Sequence, residues 1–153
     1  MVKAVVIYES KYGNTKTVAE SIATGIREGG VGDVLALHVS ATKPSDFDAY
    51  DALIIGSPNH IGGATRTIKK LISDLEGLNG KLVAVFDTYM GKDADKAVNK
   101  MVKQLKEKAP GFEVITPGLS VLVEGMKGPI ADGELQKSKA FGRTIATRAA
   151  GRS

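Results

Sequence analysis

Two patterns of apolar residues alternate along this chain. Short uninterrupted apolar runs, such as the one over residues 4–7, are typical of strands that are buried on both faces. Between these runs, apolar residues recur every three or four positions, as Val18, Ile22 and Ile26 do, and this spacing predicts amphipathic helices. The predicted strands cover residues 2–8, 33–39, 52–56, 82–86 and 113–123, and the predicted helices cover residues 14–28, 64–75, 93–108 and 132–148.

The regular alternation of strands and helices predicts parallel βαβ units, and therefore an α/β fold with three layers, α/β/α. The first, third and fourth strands are continuously apolar, so we expect them inside the sheet. The second carries Asp33 and His38, and the fifth is broken by Pro117-Gly118, a sequence tolerated at edges or bulges. The order 2-1-3-4-5 of a doubly wound, five-stranded parallel sheet satisfies both conditions. In that order, ligands bind beyond the carboxyl ends of the first and third strands.

Length and composition narrow the function classes. A chain of 153 residues is expected to form one domain, which we place at residues 1–150, with a frayed tail at residues 151–153. The absence of cysteine excludes disulfides, thiolate metal sites and iron–sulfur clusters, so redox chemistry would require a bound cofactor. The only histidines, His38 and His60, are too few for a histidine-rich metal site, and we predict no metal. The lack of a long apolar run or a signal-peptide pattern predicts a cytoplasmic protein without a membrane partner.

The chain is basic, with a formal net charge of +4 and a pI of about 9.2. Its lysines are scattered among acidic residues, and no arginine-rich stripe with interleaved aromatic residues is present. We therefore predict no nucleic-acid partner. The charge pattern fits solvated helix faces together with a mild preference for acidic partners.

The turn between the first strand and the first helix has the chemistry of a phosphate site. It consists of Ser10, Lys11, Tyr12, Gly13, Asn14 and Thr15. Backbone N–H groups at a helix N-terminus attract anions, and the hydroxyl and amide side chains add further donors. An ordinary helix cap needs only one such residue. The turn matches neither GxxxxGK[ST] nor GxGxxG, which argues against a P-loop nucleotide hydrolase and a dinucleotide fold.

Two further loops are expected at the same end of the sheet. The loop after the third strand contains Ser57, Pro58, Asn59, His60, Ile61, Gly62 and Gly63, and the loop after the fourth contains Thr88, Tyr89, Met90 and Gly91. Their aromatic and flat apolar side chains suit a ring system. We expect Tyr89 to stack on that ring, whereas for His60 a ring contact and a surface position are both open. His38 is expected to be structural or solvated.

These three loops resemble the flavodoxin family. The resemblance is carried by residues 6–22, by Gly56-Ser57-Pro58, by residues 86–91 and by a closing helix around residues 134–146, so it covers essentially the whole chain. Flavodoxin is itself one of the known examples of the binding rule for strand order 2-1-3-4-5. The resemblance implies a short-chain flavodoxin-like protein that binds FMN noncovalently through the loop residues named above. It also implies low-potential electron transfer between redox partner proteins. The basic net charge, taken alone, suggests acidic partners such as a ferredoxin or an acidic reductase.

The chain departs from typical flavodoxins in three respects. It is basic, it has no tryptophan, and its phosphate turn contains Lys11. In the family, a peptide in the second loop flips on reduction of the flavin, and Gly62-Gly63 offers the required freedom because glycine tolerates positive φ. The alternative function is that of an FMN-dependent NAD(P)H:quinone oxidoreductase on the same fold. A receiver-like signalling domain is disfavoured because Gly56-Ser57-Pro58 stands where such a domain needs a phosphorylatable aspartate. No nucleophile–base pair is evident, so we predict no catalytic residues.

Overall fold

The computed structural model describes residues 1–152 and consists of one parallel sheet between two layers of helices. The strands are β1 (Lys3–Tyr8), β2 (Asp33–His38), β3 (Ala52–Pro58), β4 (Leu82–Tyr89), β5 (Glu113–Val114) and β6 (Leu119–Leu122). The α-helices are α1 (Asn14–Glu28), α2 (Arg66–Ser73), α3 (Lys96–Lys108) and α4 (Glu134–Ala150). Two short 3-10 helices, Val39–Ala41 and Pro44–Ala49, lie between β2 and β3.

The predicted strand order is confirmed, because the sheet runs β2-β1-β3-β4-β5 with every pair parallel. The fifth position of the sheet is shared by two strands. β5 pairs with the start of β4, and β6 pairs with its end at Phe86 to Tyr89. The break between β5 and β6 contains Pro117-Gly118, where the proline has no N–H to donate to a ladder.

Several predicted boundaries differ from the structure by one to three residues, and four of them bear on the end of the sheet where the loops lie. β3 and β4 each extend two or three residues further than predicted, because Ser57 pairs with Asp87 and Pro58 with Thr88. Parallel pairing to a neighbour therefore overrides the weak strand propensity of Ser, Pro and Asp. α2 and α3 begin later than predicted, at Arg66 and Lys96. The Thr65 side chain caps α2 by accepting a hydrogen bond from the backbone of Ile68 at 3.4 Å.

Hydrophobic residues cover both faces of the sheet, as the continuous apolar strands predict. On β1, Ala4, Val6 and Tyr8 face α1 and α4, whereas Val5 and Ile7 face α2 and α3. All five side chains are buried. The carboxyl ends of β1, β3 and β4 are thus held in one rigid layer.

The two helices on one face, α1 and α4, touch backbone to backbone. A Cβ on Gly25 would overlap the carbonyl oxygen of Lys139, and a Cβ on Gly142 would overlap that of Ile22. Only glycine permits this approach at either position. The contact fixes the helix whose N-terminus follows the predicted phosphate turn.

The end of the chain is partly tied down. Arg152 donates a hydrogen bond to the carbonyl oxygen of Gly80 at 2.7 Å, and its Nε lies 3.5 Å from Glu113 Oε1. The prediction of a frayed tail is therefore wrong for residues 151 and 152, and Ser153 lies outside the described residues. Among helices within residues 1–152, none is long and apolar enough to cross a membrane.

Candidate functional site

A cavity of about 410 Å³ opens at the carboxyl ends of β1, β3 and β4. This is the end of the sheet at which the three predicted loops were expected to meet. Eleven predicted site residues line the cavity: Ser10, Lys11, Tyr12, Asn14, Thr15, Pro58, Asn59, His60, Thr88, Tyr89 and Met90. Six others lie outside its lining: Gly13, Ser57, Ile61, Gly62, Gly63 and Gly91.

The first turn presents an uncapped helix N-terminus to this cavity. Gly13, at φ 96°, precedes α1 and no side chain caps the helix. Instead, Ser10 Oγ accepts hydrogen bonds from the backbone N–H groups of Gly13 at 3.1 Å and Lys16 at 3.4 Å, which closes the turn. Within residues 1–152, the amides of Asn14 and Thr15 have no hydrogen-bond acceptor. Unpaired amides with the positive end of the helix dipole form a site for an anion.

A buried pair of hydroxyl groups joins the first turn to β4. Thr15 and Thr88 are 2% and 5% exposed, and their Oγ1 atoms lie 2.9 Å apart. Asn14 Nδ2 reaches the carbonyl oxygen of Met126 at 3.4 Å, which links the turn to the segment after β6. The start of α1 is therefore fixed from two sides of the cavity.

The second loop contains a tight turn at residues 60–63. The backbones of His60 and Gly63 exchange two hydrogen bonds, from His60 N to Gly63 O at 2.7 Å and from Gly63 N to His60 O at 3.1 Å. The two central residues, Ile61 and Gly62, have φ of 51° and 77°. Positive φ at both positions defines a type I′ turn. A β-branched residue in this left-handed region is strained, and Ile61 is 92% exposed.

Asn59 supports this turn and leaves one donor unused. Its Oδ1 accepts a hydrogen bond from the backbone of Gly62 at 2.9 Å, and its own backbone N–H donates to the carbonyl of Thr88 at 2.8 Å. The Nδ2 atom is buried and has no partner among the described residues. Asn59 is one of the residues that line the cavity, and an unpaired buried donor is costly, so this amide is a candidate donor to a ligand there.

The buried hydroxyl group of Ser57 holds the backbone of the second loop in place. Ser57 is fully buried, and its hydroxyl donates to the carbonyl of Pro58 at 2.8 Å while accepting from the backbone of Thr65 at 3.0 Å. The predicted binding residue Ser57 therefore contacts the loop backbone in this structure. Its hydroxyl fixes the distance between the end of β3 and the start of α2.

Exposed apolar side chains are concentrated around the cavity. Of the six large apolar residues that are exposed within residues 1–152, four lie on its lining or on the adjoining turn: Tyr12, Ile61, Met90 and Met126. Such clustering marks a surface that a ligand or a partner covers. Tyr89 also lines the cavity, and burial, followed by the nearby Glu134 carboxylate, raises the pKa of its phenol above the usual value. Tyr89 is therefore a neutral aromatic ring at neutral pH.

Beneath the third loop, Asp87 is fully buried. Its carboxylate accepts hydrogen bonds from Ser120 Oγ at 2.5 Å and from the backbone N–H of Val98 at 3.1 Å. Asp87 thereby caps α3, because the N-cap residue Asp95 makes no side-chain capping bond. Burial raises the pKa of Asp87 to about 6, although both hydrogen bonds act in the opposite direction.

Four residues that line the cavity were not predicted from the sequence: Glu9, Thr65, Val123 and Met126. Met126 stands between Gly125 and Gly128 after the last strand, a loop signal that was available in the sequence. Glu9 Oε2 lies 3.1 Å from His38 Nε2. The other ring nitrogen of His38 accepts a hydrogen bond from the backbone N–H of Ser40 at 3.1 Å. His38 therefore has a structural role, which is one of the two roles expected for it. No metal-binding group of acidic residues and histidines occurs within residues 1–152.

Comparison with known proteins agrees with this geometry. The sequence model described as "Flavodoxin domain" matches residues 5–120. A flavodoxin from Aquifex aeolicus is 32% identical over 96 residues, covering 60% of this chain and 52% of the relative. An NAD(P)H dehydrogenase (quinone) from Gluconacetobacter diazotrophicus is 33% identical over 81 residues, covering 40% of this chain and 41% of the relative. The chain thus spans about half, or less, of the length of these curated relatives.

A solved structure of a flavodoxin from the domain Archaea matches with a TM-score of 0.81 and 27% identity. The match covers 97% of this chain and 99% of that structure. The fold and the sequence both agree with these comparisons. The chain therefore belongs to the flavodoxin domain family, whose members bind flavin, typically FMN.

Proposed function

We propose that residues 1–150 form a single domain that binds FMN noncovalently and carries low-potential electrons between redox partner proteins in the cytoplasm. An acidic ferredoxin or an acidic reductase is the kind of partner that the net charge of +4 favours. Nucleic acids and membranes are not among the proposed partners. The observation that carries the proposal is one cavity that joins an uncapped helix N-terminus to a buried amide donor without a partner.

The residues present fit FMN at both of its ends. The free amides of Asn14 and Thr15, with the hydroxyl of Ser10, are suited to hold a phosphate. At the other end, Asn59 Nδ2 would donate a hydrogen bond to an acceptor on the ring. A cavity of about 410 Å³ lies within the range of small-ligand sites, about 300–1,000 Å³. When bound, FMN supplies the redox chemistry, and the protein supplies binding, orientation and electrostatics.

The seventeen predicted site residues divide into two proposed roles. Those on the cavity wall would contact the cofactor, and Tyr89, which lines the cavity, would cover a ring face with its neutral phenol. The other six instead set the backbone that carries these contacts: Gly13, Ser57, Ile61, Gly62, Gly63 and Gly91. We assign no catalytic acid, base or nucleophile to this chain.

An NAD(P)H:quinone oxidoreductase is the alternative function. Its support is the relative with that name and the exposed His60 on the cavity wall. The loops after β3 and β4, which run to α2 and α3, contain no additional helix or strand that would build a separate substrate pocket. For this reason we favour the electron carrier.

The proposal is tested by titrating flavin-free protein with FMN and with riboflavin, which lacks the phosphate. We expect FMN to bind about 100-fold more tightly, since charge-assisted hydrogen bonds contribute about 1.5–3 kcal/mol each. Ser10→Ala should reduce this preference, and Ser45→Ala, at an exposed serine distant from the cavity lining, is the matched control. Equal affinity for FMN and riboflavin would contradict the phosphate assignment.

Stepwise reduction of the FMN-loaded protein separates the two functions. Reduction in two one-electron stages, without consumption of NADH or NADPH in the presence of a quinone, supports the carrier. Rapid NAD(P)H oxidation with quinone would favour the oxidoreductase instead. Failure to bind any flavin would reject both functions.

A further inference from the structure

Two lysines without acidic partners converge on the 60–63 turn. A Cβ placed on Gly62 would lie 3.7 Å from Lys100 Nζ, and one placed on Gly63 would lie 3.9 Å from Lys69 Nζ. Both side chains are exposed, and neither ammonium group lies within ion-pair distance of a carboxylate among residues 1–152. By contrast, the neighbouring Lys70 pairs with Asp74 at 3.1 Å. The turn beside the cavity is therefore flanked by two positive charges that the fold does not neutralise.

These lysines belong to a layer that concentrates the positive charge of the protein. Helices α2 and α3 together carry eight basic residues and a single acidic one, Glu107, whereas the whole chain has a net charge of only +4. The two helices are in direct contact, since Gln104 Nε2 donates to the carbonyl oxygen of Lys69 at 2.9 Å. Lys69 and Lys100, which flank the 60–63 turn, therefore stand on two adjoining helices that are rich in basic residues.

The same end of the molecule carries the exposed apolar residues. Ile61 protrudes from the turn, and Met90 lies on the cavity wall directly after the end of β4. On the opposite side of the opening, Lys11 lies with its ammonium 5.5 Å from the centre of the Tyr12 ring. An apolar centre with a polar rim is the usual composition of a protein interface, and charges on the rim steer the encounter with a partner.

We propose that an acidic redox partner docks on this lysine face, defined by Lys69, Lys100 and Ile61, and that Lys69 and Lys100 are its main electrostatic anchors. The proposal rests on the proposed function in that it assigns the docking site of the electron-transfer partner. Complementary charge raises the rate of encounter and fixes the orientation of a partner. Docking at this face places the partner beside the turn that adjoins the cavity.

A protein partner fits this face better than a nucleic acid does. Neither α2 nor α3 contains an aromatic residue on which a base could stack, and seven of their eight basic residues are lysines. Single-strand binding surfaces combine positive charge with aromatic platforms. The lysine face has the charge without the platforms.

The test measures the affinity of this protein for an acidic plant-type [2Fe–2S] ferredoxin by NMR titration at low and high salt. We expect Lys69→Gln/Lys100→Gln to weaken binding about tenfold at low salt, because two charge contacts at one interface are lost. The control, Lys106→Gln/Lys108→Gln, removes the same charge from the far end of α3 and should change the affinity less than about twofold. All four substitutions lie outside the buried core.

Equal losses in the two double variants would overturn the proposal, since only overall charge would then matter. Tighter, lysine-dependent binding of a 12-nucleotide single-stranded DNA would also overturn it, in favour of a nucleic-acid surface. The titrations use both FMN-loaded and flavin-free protein, and the visible flavin band reports loading independently. A protein that binds no FMN would reject the proposed function, while the difference between the variants would still decide the docking site.

Discussion

Replacing the buried carboxyl group of Asp87 tests whether its burial makes the stability of the protein depend on pH. Burial raises the pKa of Asp87 from 3.8 to about 6. Between about pH 4 and pH 6 the native protein therefore holds a proton that the unfolded chain has released. Stability from this group is present at low pH and is lost as the pH rises through about 6.

The magnitude follows from the size of the shift. A shift of roughly 2 pKa units at about 1.4 kcal/mol per unit is equivalent to about 3 kcal/mol, most of which appears between pH 4 and pH 7. In Asp87→Asn, the amide oxygen still accepts from the N–H of Val98, and Ser120 Oγ turns to accept from the new NH₂ group. We therefore expect the variant to fold and to lack this pH dependence.

The assay is urea unfolding of flavin-free protein across this pH range. As the pH rises from 4 to 7, the free energy of unfolding of the parent protein should fall relative to that of Asp87→Asn. The difference between the two should therefore change by about 2–3 kcal/mol in favour of the variant. Asp93→Asn, at a carboxylate that pairs with Lys96 in the same loop region but is 43% exposed, is the control and should show a much smaller change. A difference between Asp87→Asn and the parent that stays constant across the range would refute the argument from burial.

Three further outcomes follow from the site. Ile61→Asn should stabilise the protein by about 1 kcal/mol in urea unfolding, because asparagine tolerates the left-handed backbone better than isoleucine and the exposed side chain loses little burial. Gly62→Ala should destabilise the protein by about the same amount, because alanine tolerates positive φ less well than glycine. Thr15→Val should cost about 1–3 kcal/mol by leaving the Thr88 hydroxyl unpaired, and the double variant with Thr88→Val should recover part of that loss; additive losses would contradict the pairing. Asn59→Asp retains the acceptor for the backbone of Gly62 but replaces the free donor, so FMN affinity measured by fluorescence should fall about tenfold, and unchanged affinity would exclude the ring contact.

The fold was predictable because its strongest signals are local. The continuous apolar runs of the inner strands can only be buried between two helix layers. Pro117 indicated from the sequence alone that the fifth strand is interrupted and lies at the edge of the sheet. The ends of the strands were harder to predict from the sequence. Ser57 and Thr88 follow apolar runs and look like loop residues in sequence, but pairing between β3 and β4 continues through both.

The cavity lining was predictable where one short segment supplies several of its residues, as in the turn that contains Ser10 and Asn14. It was not predictable where the chemistry depends on distant chain segments. Met126 reaches the cavity from beyond β6, and Asp87 becomes the cap of α3 only because Val98 and Ser120 are brought to it by the fold. The positive φ of Ile61 was also unexpected, because a β-branched residue does not favour the left-handed region.

The contact between Gly25 and Gly142 has a consequence for how this protein tolerates change. The family match ends at residue 120, so α4 lies outside the segment by which the family is recognised. Yet α4 is the surface against which α1 rests, and α1 supplies the free amides at the cavity. A larger residue at position 142 would push the helices apart and shift the cavity, although α4 contributes no lining residue to it. Substitutions in the last helix can thus alter a cavity that the helix itself does not line.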